Sequence, residues 1–585
     1  MRDCLRVVAG LLIVYALVIA GMAQTNEVVA SPWDRLVDQY FDDYYFPFHP
    51  TMGTQAGFHR YDKELEDYSR AGIESEIKAL KQVRPKIQEF SVKQLTPEQQ
   101  ADRELLLNDV DGRLLELEQI RGWEKNPDQY SSGITNSVFV IMSRNFAPPE
   151  ERLQSVIARE RQMPKVFEAA RANLKNPPKV YTEIALQQLP GIISFFQQDV
   201  PKAFTQVKDR KLLGEFRQTN QAVIEALGAY QKWLKDNLLA RSNGDFRIGA
   251  ENYRKKLLYD EMVDTPLDEL LKLGYGNLRA NQLWFQQTAA RIDAKKTPQE
   301  VLAQLQNNYP PPDKLLQTVR DAFGDLRSFI ERDKIVTIPS PVLPILEETP
   351  PFMRALSFAS MDTPGPYEHK AKEAYFNVTE PEKSWTPEHV REFMAQFNYD
   401  TLTAVAIHEA YPGHYVQFLW VQSAPSKVRK LVGAGSNSEG WAHYCEQMML
   451  DEGYGKEPGG KSSDRYLKLR LGQLQDALLR NARFIVGIEM HTGKMSFDQA
   501  VDFFVKEGYQ SRAVGEVEAR RGTADPTYLV YTLGKLEILK LREDYKRKTG
   551  DKFSLEDFHN QFLKQGFPPV KIIRRAMMGD ESPVL

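Results

Sequence analysis

His408, Glu409 and His414 are the residues of this chain whose types and spacing best suit chemistry. They stand in the segment Ala404-Val405-Ala406-Ile407-His408-Glu409-Ala410-Tyr411-Pro412-Gly413-His414. An apolar, helix-like approach delivers His-Glu and then a second His. In the H-E-x-x-H helix, two histidines four apart face one zinc ion, and the Glu between them acts as general base towards the water that the metal activates. Here the spacing is six. At about 100° per residue the two imidazoles would stand about 120° apart around a helix, with about 9 Å of rise between them. A straight helix cannot offer both to one ion. Pro412-Gly413, just before the second His, changes this: proline removes a helix hydrogen bond and glycine accepts unusual dihedrals. The pair can turn the chain so that His414 comes back towards His408.

A third ligand is sought in Ser436-Asn437-Ser438-Glu439-Gly440-Trp441-Ala442-His443-Tyr444-Cys445-Glu446. Ser436 or Ser438 reads as the cap of this helix. Glu439, His443 and Glu446 share one helix face at i, i+4 and i+7. A His₂Glu set leaves a fourth position for water, as catalytic zinc requires. Glu439 is the expected third ligand, with His443 and Glu446 as partners that orient the ligands. The plainer alternative makes His408 and His414 helix-end histidines and Glu439 a solvated cap. Cys445 reads as a small buried core residue rather than a ligand.

These residues need a scaffold, and most of the chain reads as helix. Residues 73–122, 149–175, 208–240, 266–294, 313–332, 463–494 and 528–548 carry apolar residues at intervals of three and four. The best strand signal is 374–378, Ala-Tyr-Phe-Asn-Val. Breaks fall at Asn176-Pro177-Pro178, at Tyr309-Pro310-Pro311-Pro312 and in the proline-rich stretch 338–366. The connection 333–373 is long for a compact domain, which suits a functional loop. The expected architecture is mainly α, with two lobes about a cleft: an N-terminal helical lobe to about 335 and an active-site lobe over about 367–585. The aromatic cluster at 40–48 reads as core or lobe packing, with a substrate-groove role as the alternative.

Composition narrows the function classes. The chain has 585 residues, 42% hydrophobic and 26% charged, with a formal net charge of −3. That is the balance of a globular protein with a sizeable core, and it offers no broad basic surface for nucleic acid. Two cysteines exclude a disulfide scaffold. Residues 1–23 read as a secretory signal peptide: Arg2 and Arg6 precede the apolar run Val7–Ala23. An uncleaved membrane anchor is the alternative. Cys4 lies before the apolar run, the wrong place for a lipid-modified cysteine. The expected product is 24–585 in a periplasmic or extracellular space, with no stable membrane insertion after cleavage. Gly455 to Ser462 matches the phosphate-loop spelling G-x-x-x-x-G-K-S, but no strand precedes it, so it reads as a polar loop. Asn377-Val378-Thr379 is a glycosylation sequon by spelling alone.

Taken together, the motifs resemble the bacterial family catalogued as "domain of unknown function 885", which looks related to the gluzincin zinc peptidases. Thr54 to Asp62 resembles the family's opening signature, His408 to His414 its central H-E-A-x-P-G-H, and Glu439 to Ala442 its second block. Arg483 with Ile488 to His491 is similar to a third block, and Arg520 with Tyr531 to Gly534 to a fourth. Asp557-Phe558-His559 is similar to the closing Phe-His pair. The resemblance implies a gluzincin-like helical fold with a small β element beside the cleft. It implies one zinc held by His408, His414 and Glu439, and water activation by Glu409. It also implies a downstream oxyanion donor: Tyr531 is the best match, with His491 and Arg520 as further candidates. The strand near 374–378 would be the edge at which such peptidases pair with substrate backbone. The chain departs from the pattern at two places. Tyr415 replaces a second His that often follows the central motif, and Asp525-Pro526-Thr527 replaces a Pro-Gly-Gln.

The expected function is that of a secreted zinc hydrolase acting on peptide bonds, with a peptide or small protein as substrate. The rival is a metal-free helical peptide- or protein-binding protein with a degenerate site. A zinc hydrolase of non-peptide bonds is a further alternative.

Overall fold

The computed structural model describes residues 31–350, 354, 358–382 and 385–585. The signal segment expected at 1–23 lies outside the described residues. The described chain is mainly helical, and its helices follow the apolar spacing. In α1 (Leu315–Arg332), Leu315, Val319, Phe323, Leu326 and Ile330 recur at three and four residues and are all buried. Two expected runs are divided. The run 73–122 becomes Arg70–Glu89 and Pro97–Leu115. Thr96 and Gln99 form a capping box there, and Pro97 takes the first helical position, where its missing N–H costs nothing. The run 149–175 becomes Pro149–Glu160 and Met163–Asn173.

The connection after α1 contains two strands, β1 (Ile345–Glu348) and β2 (Ala359–Asp362), and leads to β3 (Tyr375–Val378). The sheet order is β1-β3-β2, with β1 parallel and β2 antiparallel to β3. The strand expected near 374–378 therefore exists but is central, not an edge. Its two flanks are both taken, and Phe376 and Val378 belong to the core beneath α1. The edges are β1 and β2, and β2 packs against the helix that carries His408. Asn377 is buried on the central strand, so its sequon is closed to modification in the folded chain.

The site is carried by α2 (Tyr399–Glu409), α3 (His414–Trp420), α4 (Gly435–Asp451), α5 (Asp464–His491), α6 (Arg512–Ala524) and α7 (Val530–Thr549), with α8 (Leu555–Leu563) beneath them. Their cores cross the proline-rich stretch. Leu278 and Phe285, on the helix Leu267–Ile292, share a core with Leu474 and Leu478 of α5. Residues 130–238 enclose a core largely of their own. The phosphate-loop spelling falls in the loop between α4 and α5. There Ser463 caps α5 and donates its hydroxyl to Gly455 O at 2.6 Å. No helix among the described residues is long and apolar enough to cross a membrane.

Candidate metal centre

The α2 helix stops where the sequence makes it stop. Ala410 leaves helical dihedrals, and the cis bond Tyr411-Pro412 follows. Gly413 then donates its N–H to Ile407 O at 2.9 Å, folding the chain onto the end of α2. The approach is so close that a Cβ at Gly413 would lie 1.7 Å from His408 O, so only glycine fits. The result is a tight return. His414 opens α3 with its ring centroid 4.9 Å from that of His408, the rings nearly perpendicular. Six residues of sequence have become adjacency in space.

The second block completes the set. Glu439 Oε2 lies 3.4 Å from Nε2 of both His408 and His414. One ligand atom from each of the three residues falls within 4.8 Å of the other two. The distances of 3.4 Å exceed a good charge-assisted hydrogen bond of about 2.7–2.9 Å. Glu439 Oε2 is otherwise buried without a partner, as is His414 Nδ1. Trp441 donates its indole N–H to Pro412 O at 2.9 Å and so holds the return loop in place. Gly440 meets Gly534 of α7, where an added Cβ on Gly440 would sit 2.5 Å from Gly534 Cα. The two glycines let α4 and α7 cross at backbone contact, which brings Tyr531 up to Glu439. The expected serine cap of α4 is not used. The carboxylate of Glu261 accepts Gly435 N at 3.1 Å and Ser436 N at 2.8 Å instead.

Glu446 fixes the rings of His408 and His443. Its Oε1 meets His408 Nδ1 at 2.7 Å and its Oε2 meets His443 Nδ1 at 3.1 Å. Arg480 Nη2 adds a contact of 3.2 Å to Oε1. A carboxylate on Nδ1 puts the ring proton there and leaves Nε2 to face Glu439 and His414, the arrangement typical of metal-bound histidine. Burial would raise Glu446, but Arg480, His443 and His408 hold it well below the usual carboxylate range. Burial would likewise depress His408, yet Glu439 and Glu446 outweigh it and raise the imidazole to about 10. Two carboxylates on one buried imidazole make a setting that draws positive charge. His443 is pushed down to about 3, chiefly by burial and then by Lys535, so it stays neutral. Cys445 is buried, and burial pushes its thiol well up; it takes no part in the ligand cluster.

Glu409, the last residue of α2, is partly exposed beside His408. Tyr531 is 8% exposed, and its ring lies 6.4 Å from that of His408. Arg521 Nη2 is 3.3 Å from the Tyr531 hydroxyl, and Arg480 and Arg483 flank the ring at 5.6 and 5.0 Å. Arg483 is fixed in turn by a two-pronged pair with Glu518 at 2.6 and 2.8 Å.

Two expected donors lie elsewhere. His491 is fully buried against Phe246 and Tyr253 and gives its Nε2–H to Gly522 O at 2.7 Å. Burial lowers its pKa, and it serves as a core histidine bonded through Nε2 alone. Arg520 reaches outwards to Gln187 Oε1 at 3.1 Å. Its neighbour Arg521 takes the place expected for it. Arg480 and Arg521 were missed; the three-residue step from Arg480 to Arg483 on one helix face was the available signal.

The opening and closing motif blocks make packing and tethering contacts. His559 bonds Ile335 O and the Tyr444 hydroxyl and packs its ring on Trp441. His59 meets Glu368 at 2.8 Å and stacks on Phe146, tying the opening block to the loop after β2.

The donor set would suit a zinc ion: two imidazole nitrogens and one carboxylate oxygen converge, with His408 buried and held from behind by Glu446. Six solved chains are similar to this one, two of them described as follows. One, from Shewanella oneidensis, is described as a "putative lipoprotein of unknown function"; it is 28% identical, with a TM-score of 0.76, over 94% of this chain and 100% of that one. The other, a "putative lipoprotein" from Colwellia psychrerythraea, is 18% identical, with a TM-score of 0.78, over 94% and 99%, and shares the fold. No curated protein sequence matches the chain. The model of the family described as "Bacterial protein of unknown function (DUF885)" matches residues 50–577, and the chain belongs to that family.

Proposed function

We propose that this protein is a zinc-dependent hydrolase of peptide bonds, related to the gluzincin peptidases. The observation that carries the reading is the convergence of His408, His414 and Glu439, with one ligand atom of each within 4.8 Å of the others. His408, His414 and Glu439 would hold the ion. When bound, zinc supplies a Lewis acid that polarises a carbonyl and acidifies a water. Glu409, at the open end of α2, takes the proton of the attacking water and passes it to the leaving amine. Tyr531 donates its hydroxyl proton in a hydrogen bond to the oxyanion that develops on the carbonyl oxygen. Arg521 steers that hydroxyl. Glu446 keeps the His408 ring turned so that Nε2 faces the site.

The site belongs in an envelope or extracellular compartment. The signal-like residues 1–23 support this, as do the two similar chains described as lipoproteins.

The test is zinc content of the purified mature protein beside His408→Ala. About one zinc per chain in wild type, lost in His408→Ala, supports the reading. Wild type that takes up no zinc when offered it returns the protein to the rival class of metal-free binding proteins. A second expectation concerns Glu446. Because it acts only through the ring it orients, Glu446→Gln should weaken zinc affinity by about 10–100-fold without abolishing binding. Competition titration against a chelator measures this, and unchanged affinity would remove Glu446 from the centre.

A further inference from the structure

A cavity of about 380 Å³ opens beside the metal centre. Its position is fixed by two of its lining residues. Ser438 immediately precedes Glu439, and Phe418 lies one helical turn after His414, its ring 6.1 Å from the imidazole. The walls come from distant parts of the chain: Phe46 and Met52 near the N-terminus, Pro364 after β2, and Leu431 and Phe567 from the C-terminal half. Most of this surface is apolar. Met52 is 44% exposed and Leu431 is partly exposed, so apolar area here faces water. Among the described residues Lys430 is the only charged one of the lining, and its Nζ sits 5.6 Å from the centre of the Tyr367 ring.

We infer that this cavity receives a bulky apolar side chain of a peptide substrate, at a residue next to the cleaved bond. The inference rests on the hydrolase reading and adds a substrate class to it. Size supports it: an engineered apolar cavity of about 150 Å³ accepts benzene, so this one admits an aromatic or branched aliphatic side chain with room to spare. Pockets of this size with apolar walls and few polar groups are typical ligand sites. Continuity supports it as well. A chain whose scissile carbonyl sits at the metal centre must pass Ser438 and Phe418, and a neighbouring side chain then points into the cavity. Lys430 sets the sign of discrimination: it repels Lys and Arg side chains and leaves neutral apolar ones unopposed. The same geometry accounts for the aromatic cluster at 40–48. Tyr40, Phe41 and Phe46 are core, and Phe46 also backs the cavity wall together with the partly exposed Tyr45.

The experiment uses the zinc-loaded mature protein and quenched fluorescent peptides in which the residues flanking one bond are varied among Phe, Leu, Ala and Lys. Phe and Leu should exceed Ala by about tenfold or more in kcat/KM at one flanking position. Lys should fall below Ala. Leu431→Trp fills the cavity and should cut the Phe-to-Ala ratio at least fivefold. Met52→Trp, at an exposed position at the mouth, should cut it in the same direction if Leu431→Trp does not fold. Cleavage with no such preference, or a preference that neither variant changes, overturns the pocket and leaves the hydrolase standing. If wild type cleaves no peptide, the hydrolase reading fails, and binding of N-acetylphenylalaninamide by calorimetry judges the cavity alone. Binding that Leu431→Trp weakens upholds an apolar side-chain site, and no binding overturns it.

Discussion

Glu409→Gln should lower kcat for peptide hydrolysis by about 10²–10⁴ while the protein keeps its full complement of zinc. The change is isosteric and removes basicity without altering shape. Glu409 is not one of the three converging ligands, so metal content should hold. It is the last residue of α2, next to His408 and partly open to solvent. Activity and zinc should be measured on one preparation. A zinc-replete variant with wild-type kcat would remove Glu409 as the base.

Tyr531→Phe should lower kcat by about 10²–10³ and move KM little, because the hydrogen bond it removes forms only as the oxyanion develops. Tyr531 is suited to donate. Burial and the nearby Glu439 carboxylate raise its pKa, against the opposing pull of Arg521 and Arg483, so the hydroxyl keeps its proton at neutral pH. Arg521 holds the oxygen from one side and the ring lies beside His408. Arg520→Ala is the informative control. Its side chain bonds Gln187 on the outer surface, so kcat should be unaffected. A fall in KM-dependent binding alone for Tyr531→Phe, with kcat intact, would assign the tyrosine to substrate binding instead.

Much of this arrangement is legible in the sequence because its signals are local. The 3.6-residue spacing of apolar side chains is a property of each helix alone. It held for α1, for the helix Leu267–Ile292 and for α5. Residue types that bind metal are scarce, so three of them in two short blocks already suggest a set, and Pro412-Gly413 suggests the turn that joins them. What escaped the sequence depends on partners far along the chain. Whether 375–378 is an edge or a centre depends on pairing with 345–348 and 359–362, to which its own residues give no clue. Arg520 and Arg521 differ by about 100° around α6, and only the position of Tyr531 says which one faces it. His491 looked chemical by type, but Gly522 O and two aromatic rings make it core. The cap of α4 comes from Glu261, more than 170 residues upstream.

That last contact bears on how such a site can be inherited. Every residue proposed to hold the metal or to handle protons lies after position 400, yet the helix bearing Glu439 is secured at its start by a carboxylate from the other half of the chain. The helix bearing Arg480 and Arg483 likewise rests on Leu278 and Phe285. The half that carries the proposed site is therefore not a transferable module. A gene fragment encoding it alone would carry the motifs without the groups that hold them in register. Shuffling between relatives can preserve the centre only if both halves travel together, and this matches a family pattern that runs nearly the whole length of the chain rather than clustering at its motifs.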